Sequence, residues 1–99
     1  MQLRDIAHAR AGDKGTVVTI SVIARRPEDY PIIEERVTAE RVTKLFGPWL
    51  WRPAVRYSIA HLAALNYVLE RSPTQSVTRS LALDAHGKCL SSVLLDIEI

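Results

Sequence analysis

A run of β-branched residues limits the fold more strongly than any other feature of the chain. Seven of the ten residues 16–25 are Thr, Val or Ile, and branching at Cβ favours an extended strand. Side chains alternate across a strand, so even-numbered and odd-numbered residues form two separate faces. The pattern predicts one face of Val18, Ile20 and Val22 and an opposite face of Val17, Thr19, Ser21 and Ile23.

The residues before this run predict a second strand. Residues 3–10 alternate weakly, with His8 on one face and Ala7 and Ala9 on the other. A cluster of turn residues, Ala11-Gly12-Asp13-Lys14-Gly15, separates the two segments. Two strands joined by a short loop that contains glycine predict an antiparallel hairpin.

Helical signals follow the predicted hairpin. Pro27 and Pro31 suit the first turns of helices, so they indicate a turn that leads into a short amphipathic helix. Thr38 is a candidate N-cap of a second helical segment. Gly47-Pro48 is expected to end that segment, because proline cannot continue a helix.

The second half of the chain predicts further strands and one more helix. Alternating apolar residues predict three strands, over 55–59, 76–83 and 88–98. The helical spacing of Leu62, Leu65 and Leu69 predicts a helix over 60–71. The predicted order of elements is therefore β-β-α-β-α-β-β.

This order predicts an α+β fold, a two-layer sandwich with the helices on one face of the sheet. The pairing of the second, third and fourth strands stays open between parallel and antiparallel, since it depends on the strand order. A chain of 99 residues is the size of one domain, which we expect to span residues 1–99. The other sheet face would expose Val17 and Ile23, so a second sheet or a partner is expected to cover it.

Charge and composition exclude several classes of function. The 13 basic and 11 acidic residues give a net charge of +2, and scattered arginines are not the basic cluster of a nucleic-acid-binding protein. No apolar run reaches the length of a membrane span and no signal peptide is visible, so we expect a cytoplasmic protein. A single cysteine excludes a disulfide framework and a four-cysteine metal site. We expect no metal, no cofactor, and no nucleic-acid or membrane partner.

The segment Gly12-Asp13-Lys14-Gly15 is the strongest candidate for chemistry. Its glycines let a ligand approach the backbone closely, and Lys14 supplies a positive charge for an anion. The same residues also favour a hairpin turn, because they tolerate positive φ. Both interpretations stay open at the level of sequence. Specific catalytic motifs are absent, and Cys89 is expected to be a buried, unreactive thiol.

Trp49, Leu50 and Trp51 form a candidate site of another kind, for a protein partner. Pro48 and Pro53 bracket these residues, so we expect a loop. Tryptophan is enriched at the energetic centres of protein interfaces. Three large apolar residues can equally fold back onto the core. The sequence does not choose between an interface anchor and a loop that packs on the core.

Several segments, including Ala9-Arg10-Ala11-Gly12-Asp13-Lys14-Gly15, together resemble the small domain of the acyclic-terpene-utilisation family AtuA. They are residues 9–15, 22–31, 38–42, 64–69, 78–81 and 84–88. The resemblance implies a ferredoxin-like fold, in the form that is encoded as a separate small protein. The term denotes a topology only, since one cysteine cannot hold an iron–sulfur cluster.

The chain departs from the family pattern beside the candidate loop. Thr16, Thr19 and Ser21 stand where the family has Asp, Asn and Gly, and Thr74-Gln75-Ser76 replaces a glycine-rich turn. These departures imply that part of any ligand site of the family is lost. They favour a structural or assembly role.

Two hypotheses of function result. In the first, the chain is a non-catalytic accessory or assembly domain that forms a homo-oligomer and associates with a larger AtuA-like subunit in acyl-CoA or terpenoid-type catabolism. In the alternative, it is a small enzyme or binding module for an anionic small molecule, a carboxylate or a CoA thioester, at the Gly12–Gly15 loop.

The alternative assigns a role to each of its residues. His8 would carry the proton, because the pKa of histidine is close to neutral. Arg10 and Lys14 would hold the anion, and Asp13 would orient the lysine. The ligand-binding residues would be Arg10, Gly12, Asp13, Lys14, Gly15 and Asn66. Asn66 matches the family, and it either points toward the loop or lies on a solvated face of the predicted helix.

Overall fold

The sheet begins with an antiparallel hairpin. The computed structural model describes residues 1–71 and 90–99. Strand β1 (Ala7–Lys14) pairs antiparallel with strand β2 (Val17–Ala24), which confirms the predicted hairpin. The alternation within β2 is confirmed as well, because its even-numbered residues are buried and its odd-numbered residues are half-buried.

The loop of this hairpin is shorter than the sequence predicts. Residues 11–14 belong to β1, so the connection consists of Gly15 and Thr16 alone. Pairing with the β-branched residues of β2 keeps the predicted turn residues extended. The turn itself needs a residue with positive φ, and Gly15 supplies it at +64°.

Two short helices follow, as the proline and capping signals predict. Helix α1 (Tyr30–Arg36) has a proline in its first turn. Helix α2 (Ala39–Phe46) is capped by Thr38, whose Oγ1 accepts a backbone N–H of the first turn at 3.1 Å. The α-helix ends before Gly47-Pro48, where a 3-10 turn begins, and this confirms the predicted stop.

The prediction of a helix over 60–71 is wrong. Strand β3 (Val55–Ile59) and strand β4 (Ala64–Glu70) form a second antiparallel hairpin in this region. The connection is a 3-10 turn over Ala60–Leu62. It is followed by Ala63 in the left-handed conformation, with φ of +52°.

The burial of the leucines explains why the helical interpretation fails. Leu65, Tyr67 and Leu69 are buried, and their spacing of two residues is that of one strand face. Leu62, which the helical pattern places in the core, is 61% exposed. Two of the three leucines fit both periods, so the pairing of β4 with β2 decides the conformation.

The carboxyl-terminal segment also differs from its prediction. Helix α3 (Leu90–Leu95) lies where the sequence predicts a strand over 88–98. Leu94 is fully buried and α3 packs against β1, so the apolar residues serve a helix face. The predicted strand over 76–83 and Cys89 lie outside the described residues.

The four described strands form one sheet in the order β1-β2-β4-β3, and every pair is antiparallel. The α+β class is confirmed, whereas the predicted order of elements fails at the helix over 60–71 and at the strand over 88–98. The helices and one face of the sheet share a single hydrophobic core. Its main members are Val18, Ile20, Val22, Ile33, Val42, Phe46, Leu65, Tyr67, Leu69 and Leu94.

Candidate functional site on the open sheet face

The open face is the side of the sheet that the core does not occupy. The register of the four strands places the following exposed or half-buried side chains on it: His8, Arg10, Gly12, Val17, Thr19, Ser21, Ile23, Val55, Tyr57, Ile59, Asn66, Val68 and Glu70. All of these residues are half-buried or exposed. The open face therefore brings together His8, Arg10, Gly12 and Asn66 from the sequence-predicted site.

A row of polar residues crosses the middle of the open face. Arg10 lies opposite Ser21, Ser21 opposite Asn66, and Asn66 opposite Tyr57. The Ser21 hydroxyl donates to Oδ1 of Asn66 at 3.1 Å. The amide oxygen is thus engaged, and Nδ2 is a donor without an acceptor among the described residues.

The position of Asn66 corrects the sequence prediction. Asn66 lies in the middle of β4 and not in a helix. Its side chain shares a row with Arg10, so it faces the centre of the sheet and not the hairpin loop. The register of β4 with β2 fixes the side of the sheet on which the Asn66 side chain lies. A residue on a solvated helix face would have no such constraint.

Apolar residues flank the polar row, and the most exposed of them lie on β3. Val55 is 42% exposed and Tyr57 is 57% exposed. Ile59 and Val68 are half-buried beside them. Since β3 is an edge strand of the described sheet, this part of the open face is accessible from the side as well as from above.

The other edge of the open face contains a concavity next to β1. Gly12, Asp13, Val17 and Thr19 line it, and its volume is about 400 Å³. A Cβ atom at position 12 would lie 3.3 Å from Oγ1 of Thr19, so any larger residue would fill this space. The missing side chain of Gly12 therefore forms the concavity.

Asp13 does not join His8, Arg10 and Gly12 on the open face. The alternation of β1 turns it to the opposite side. There its Oδ1 lies 3.0 Å from Nη2 of Arg71, and Arg71 also donates to the carbonyl of Gly15. Sequence reasoning missed Arg71, since no local signal connects it with a hairpin more than fifty residues away.

Lys14 and Gly15 mark the end of the hairpin. Lys14 is the last residue of β1 and lies opposite Val17, and Gly15 begins the turn. The backbone of the predicted loop is thus a strand end followed by a tight turn. This agrees with the turn interpretation of Gly15 and moves the candidate ligand-binding surface to the neighbouring sheet face.

The tryptophan segment divides between the core and the surface. Trp49 is half-buried and packs on Phe46, with ring centroids 6.3 Å apart. Leu50 is half-buried against the core as well. Trp51 is 54% exposed, and its backbone N–H donates to the backbone carbonyl of Glu70 at 2.7 Å. Of the predicted interface residues, Trp51 alone is available as a large exposed side chain.

A buried polar cluster fixes the end of α1. The Tyr67 hydroxyl donates to the carbonyl of Val37 at 2.6 Å. Nη1 of Arg56 donates to the carbonyls of Glu34 and Val37, at 2.6 and 3.1 Å. Burial raises the pKa of Tyr67 above its ordinary value. These contacts satisfy the last carbonyls of the helix, so they stabilise the fold and leave the open face as the candidate site.

Neither a metal centre nor a membrane-spanning helix occurs in the described part of the chain. Among residues 1–71 and 90–99, no three His, Cys, Asp or Glu side chains come together as metal ligands. No helix within these ranges has the length and apolar character needed to cross a membrane.

Comparison with known proteins defines the family. Residues 1–99 match the family model described as the AtuA ferredoxin-like domain, which covers the whole chain. No curated protein and no solved structure matches. The matched length and the four-stranded antiparallel sheet with helices on one side agree with the resemblance noted in the sequence. The chain belongs to the AtuA ferredoxin-like domain family.

Proposed function

We propose that this chain is a non-catalytic accessory domain that docks on other protein subunits through the β3 half of its open face. The observation that carries the proposal is the exposure of Tyr57 and Val55, which are 57% and 42% exposed on a sheet face that no described element covers. Its partners would be further copies of this chain and a larger AtuA-like subunit. The setting, acyl-CoA or terpenoid-type catabolism, rests on the family resemblance.

The chemistry of this half of the face suits a protein interface. Interface centres are depleted in charged residues and enriched in tyrosine and tryptophan. Val55, Tyr57 and Ile59 carry no charge, and Trp51 lies near the same edge of the sheet, beside the end of β4. Burying one large apolar side chain contributes about 1.5–3 kcal/mol, so a tyrosine here has the size of an interface anchor.

Self-association is the first part of the test. Size-exclusion chromatography with light scattering should show an oligomer at micromolar concentration, and Tyr57→Asp should shift it to the monomer. A loss of about 2 kcal/mol corresponds to a roughly thirtyfold weaker association. The matched control is Ile32→Asp, since Ile32 is 40% exposed on α1, away from the open face. A monomeric wild-type chain would contradict the homo-oligomer.

Association with the larger subunit needs a separate measurement. A purified AtuA-like subunit from the same organism is titrated with labelled chain, and Tyr57→Asp and Ile32→Asp are compared. We expect Tyr57→Asp alone to weaken binding strongly, and Trp51→Ser to weaken it to a smaller extent. Equal affinities of the two aspartate variants would refute docking through the β3 half.

A further inference from the structure

We propose that the β1 half of the open face binds a small monocarboxylate, with the carboxylate at Arg10 and Asn66 and the apolar body of the ligand in the concavity beside Gly12. The proposal goes beyond docking, because it concerns the opposite edge of the sheet. Three interstrand spacings, about 14 Å, separate β1 from β3. An experiment can therefore refute carboxylate binding at the β1 half without refuting protein docking at the β3 half, and the reverse.

Arg10 differs from most described arginines, because it has no partner among residues 1–71 and 90–99. Arg4, Arg26, Arg52 and Arg71 each pair with a carboxylate. Three further arginines donate to backbone carbonyls: Arg25, Arg41 and Arg56. Arg10 is exposed and has neither kind of contact within the described chain. Its guanidinium is thus available to a ligand.

No acidic group of the described residues neutralises Arg10 on its own face. Glu70 lies on β4, two strands away from β1 and four residues beyond Asn66, and its Oε2 is 3.1 Å from Nε of Arg52. Asp13 points to the other side of β1, where Arg71 holds it at 3.0 Å. The guanidinium therefore has an uncompensated positive charge beside a half-buried polar row, which favours a bound anion.

Asn66 supplies a second donor to the same place. Its Oδ1 accepts the Ser21 hydroxyl, which leaves Nδ2 to donate. Arg10 and Asn66 lie on either side of Ser21, so their Cα atoms are about 10 Å apart across two strand spacings. A guanidinium side chain reaches over much of that distance. A carboxylate above Ser21 can accept from both, since it has two oxygens with several lone pairs.

The concavity sets the size and polarity of the rest of the ligand. Gly12 is two residues from Arg10 on the same face, at a distance of about 7 Å along the strand. Val17 and Thr19 form the walls of the concavity, and the lining is mostly apolar. Asp13 also lines the concavity, but its carboxylate contacts Arg71 on the other side of β1. The donors for the anionic end are therefore Arg10 and Asn66, and the apolar end lies at Gly12. A volume of about 400 Å³ accommodates a short acyl chain.

The charge of the site favours a carboxylate over a phosphate. One guanidinium and one neutral amide match a single negative charge. A phosphate group carries about two negative charges and is usually held by several cations or by a row of backbone N–H groups. The hydrogen bonds between β1 and β2 lie in the plane of the sheet and use the backbone N–H groups on that side of β1. The open face therefore has no row of backbone N–H donors that could hold a phosphate.

Isothermal titration calorimetry with hexanoate, hexanamide and inorganic phosphate tests the proposal. We expect hexanoate to bind, and hexanamide, which has the same length without the charge, to bind at least tenfold more weakly. Arg10→Gln should lower hexanoate affinity about tenfold, the effect of losing a charge-assisted hydrogen bond. The matched control is Arg36→Gln, because Arg36 lies at the exposed end of α1.

A third variant tests the concavity. Gly12→Val should fill the space beside Thr19 and lower hexanoate affinity, provided that circular dichroism shows the native fold. If that variant does not fold, the comparison of Arg10→Gln with Arg36→Gln decides. Absence of hexanoate binding, equal binding of hexanamide, displacement by phosphate at equal concentration, or equal effects of the two glutamine variants would each overturn the proposal.

Discussion

Replacing Tyr67 with Phe removes a single hydroxyl from the core and tests the polar cluster at the end of α1. Tyr67 is fully buried, and its hydroxyl donates to the carbonyl of Val37 at 2.6 Å. That carbonyl keeps a second donor, Nη1 of Arg56 at 3.1 Å, so the substitution leaves no orphaned acceptor. We therefore expect the free energy of unfolding to fall by about 0.5–1.5 kcal/mol, the contribution of one ordinary hydrogen bond.

The same variant should change how stability depends on pH. Burial raises the pKa of Tyr67 above its usual value of 10.0, so the folded protein keeps a proton that the unfolded chain loses. The stability that this proton contributes is complete below the unfolded pKa and is lost as the pH rises from there through the folded pKa. Phe has no such proton, so Tyr67→Phe should lose less stability in alkaline solution. Burial also raises the pKa of Tyr30, so part of the alkaline loss should remain.

Urea denaturation at neutral pH and at about pH 11 measures both effects. The matched control is Tyr57→Phe, which deletes the same hydroxyl from an exposed position and should leave stability unchanged at neutral pH. If Tyr67→Phe and wild type lose equal stability between the two pH values, burial of the Tyr67 hydroxyl is refuted. A neutral-pH loss well above the expected range would show that Arg56 does not satisfy the Val37 carbonyl.

Three further substitutions test individual features of the fold by urea denaturation. Thr38→Ala should cost about 1 kcal/mol because α2 loses its cap, and Thr38→Ser should restore most of it. Gly15→Ala should cost about 1–2 kcal/mol because φ is positive there, whereas Gly47→Ala, with open space and helical φ, should be nearly neutral. Leu94→Ala should cost about 2–5 kcal/mol, and the half-exposed Leu45→Ala clearly less. Equal losses within any of these pairs would contradict the corresponding assignment.

Local signals were sufficient for the first half of the fold. The β-branched run predicts β2, and Thr38 and Gly47-Pro48 predict where α2 begins and ends. Each of these signals acts between residues that are close in the chain. The predictions hold because the local preference and the tertiary contacts agree.

The second half could not be predicted in the same way. A turn ends at Ala63 with positive φ, and no Gly, Asn or Asp marks it in the sequence. Without that turn, the leucines of 60–71 fit a helical period. The partner that makes this segment a strand is β2, some forty residues earlier, and pairing at that distance leaves no local signal.

The sequence identifies several residues of the candidate site but not how they are arranged. His8, Arg10, Gly12 and Asn66 share the open face, but only the register of three strands aligns Arg10, Ser21 and Asn66 in one row. The sequence places Asp13 with them because it is adjacent in the chain. Alternation along β1 sends its carboxylate to the opposite side, where it contacts Arg71.

The departures from the family pattern gain a physical meaning from this geometry. The resemblance implies Asn and Gly at the positions of Thr19 and Ser21, and the structure places both residues on the open face, next to Gly12 and between Arg10 and Asn66. A glycine at position 21 would have no hydroxyl to donate, so Oδ1 of Asn66 would lose its described donor and the amide would be free to turn. Ser21 fixes the amide and leaves Nδ2 as the donor. The hydroxyl of Ser21 therefore adds a hydrogen-bonding group to the open face at a position where the resemblance implies none.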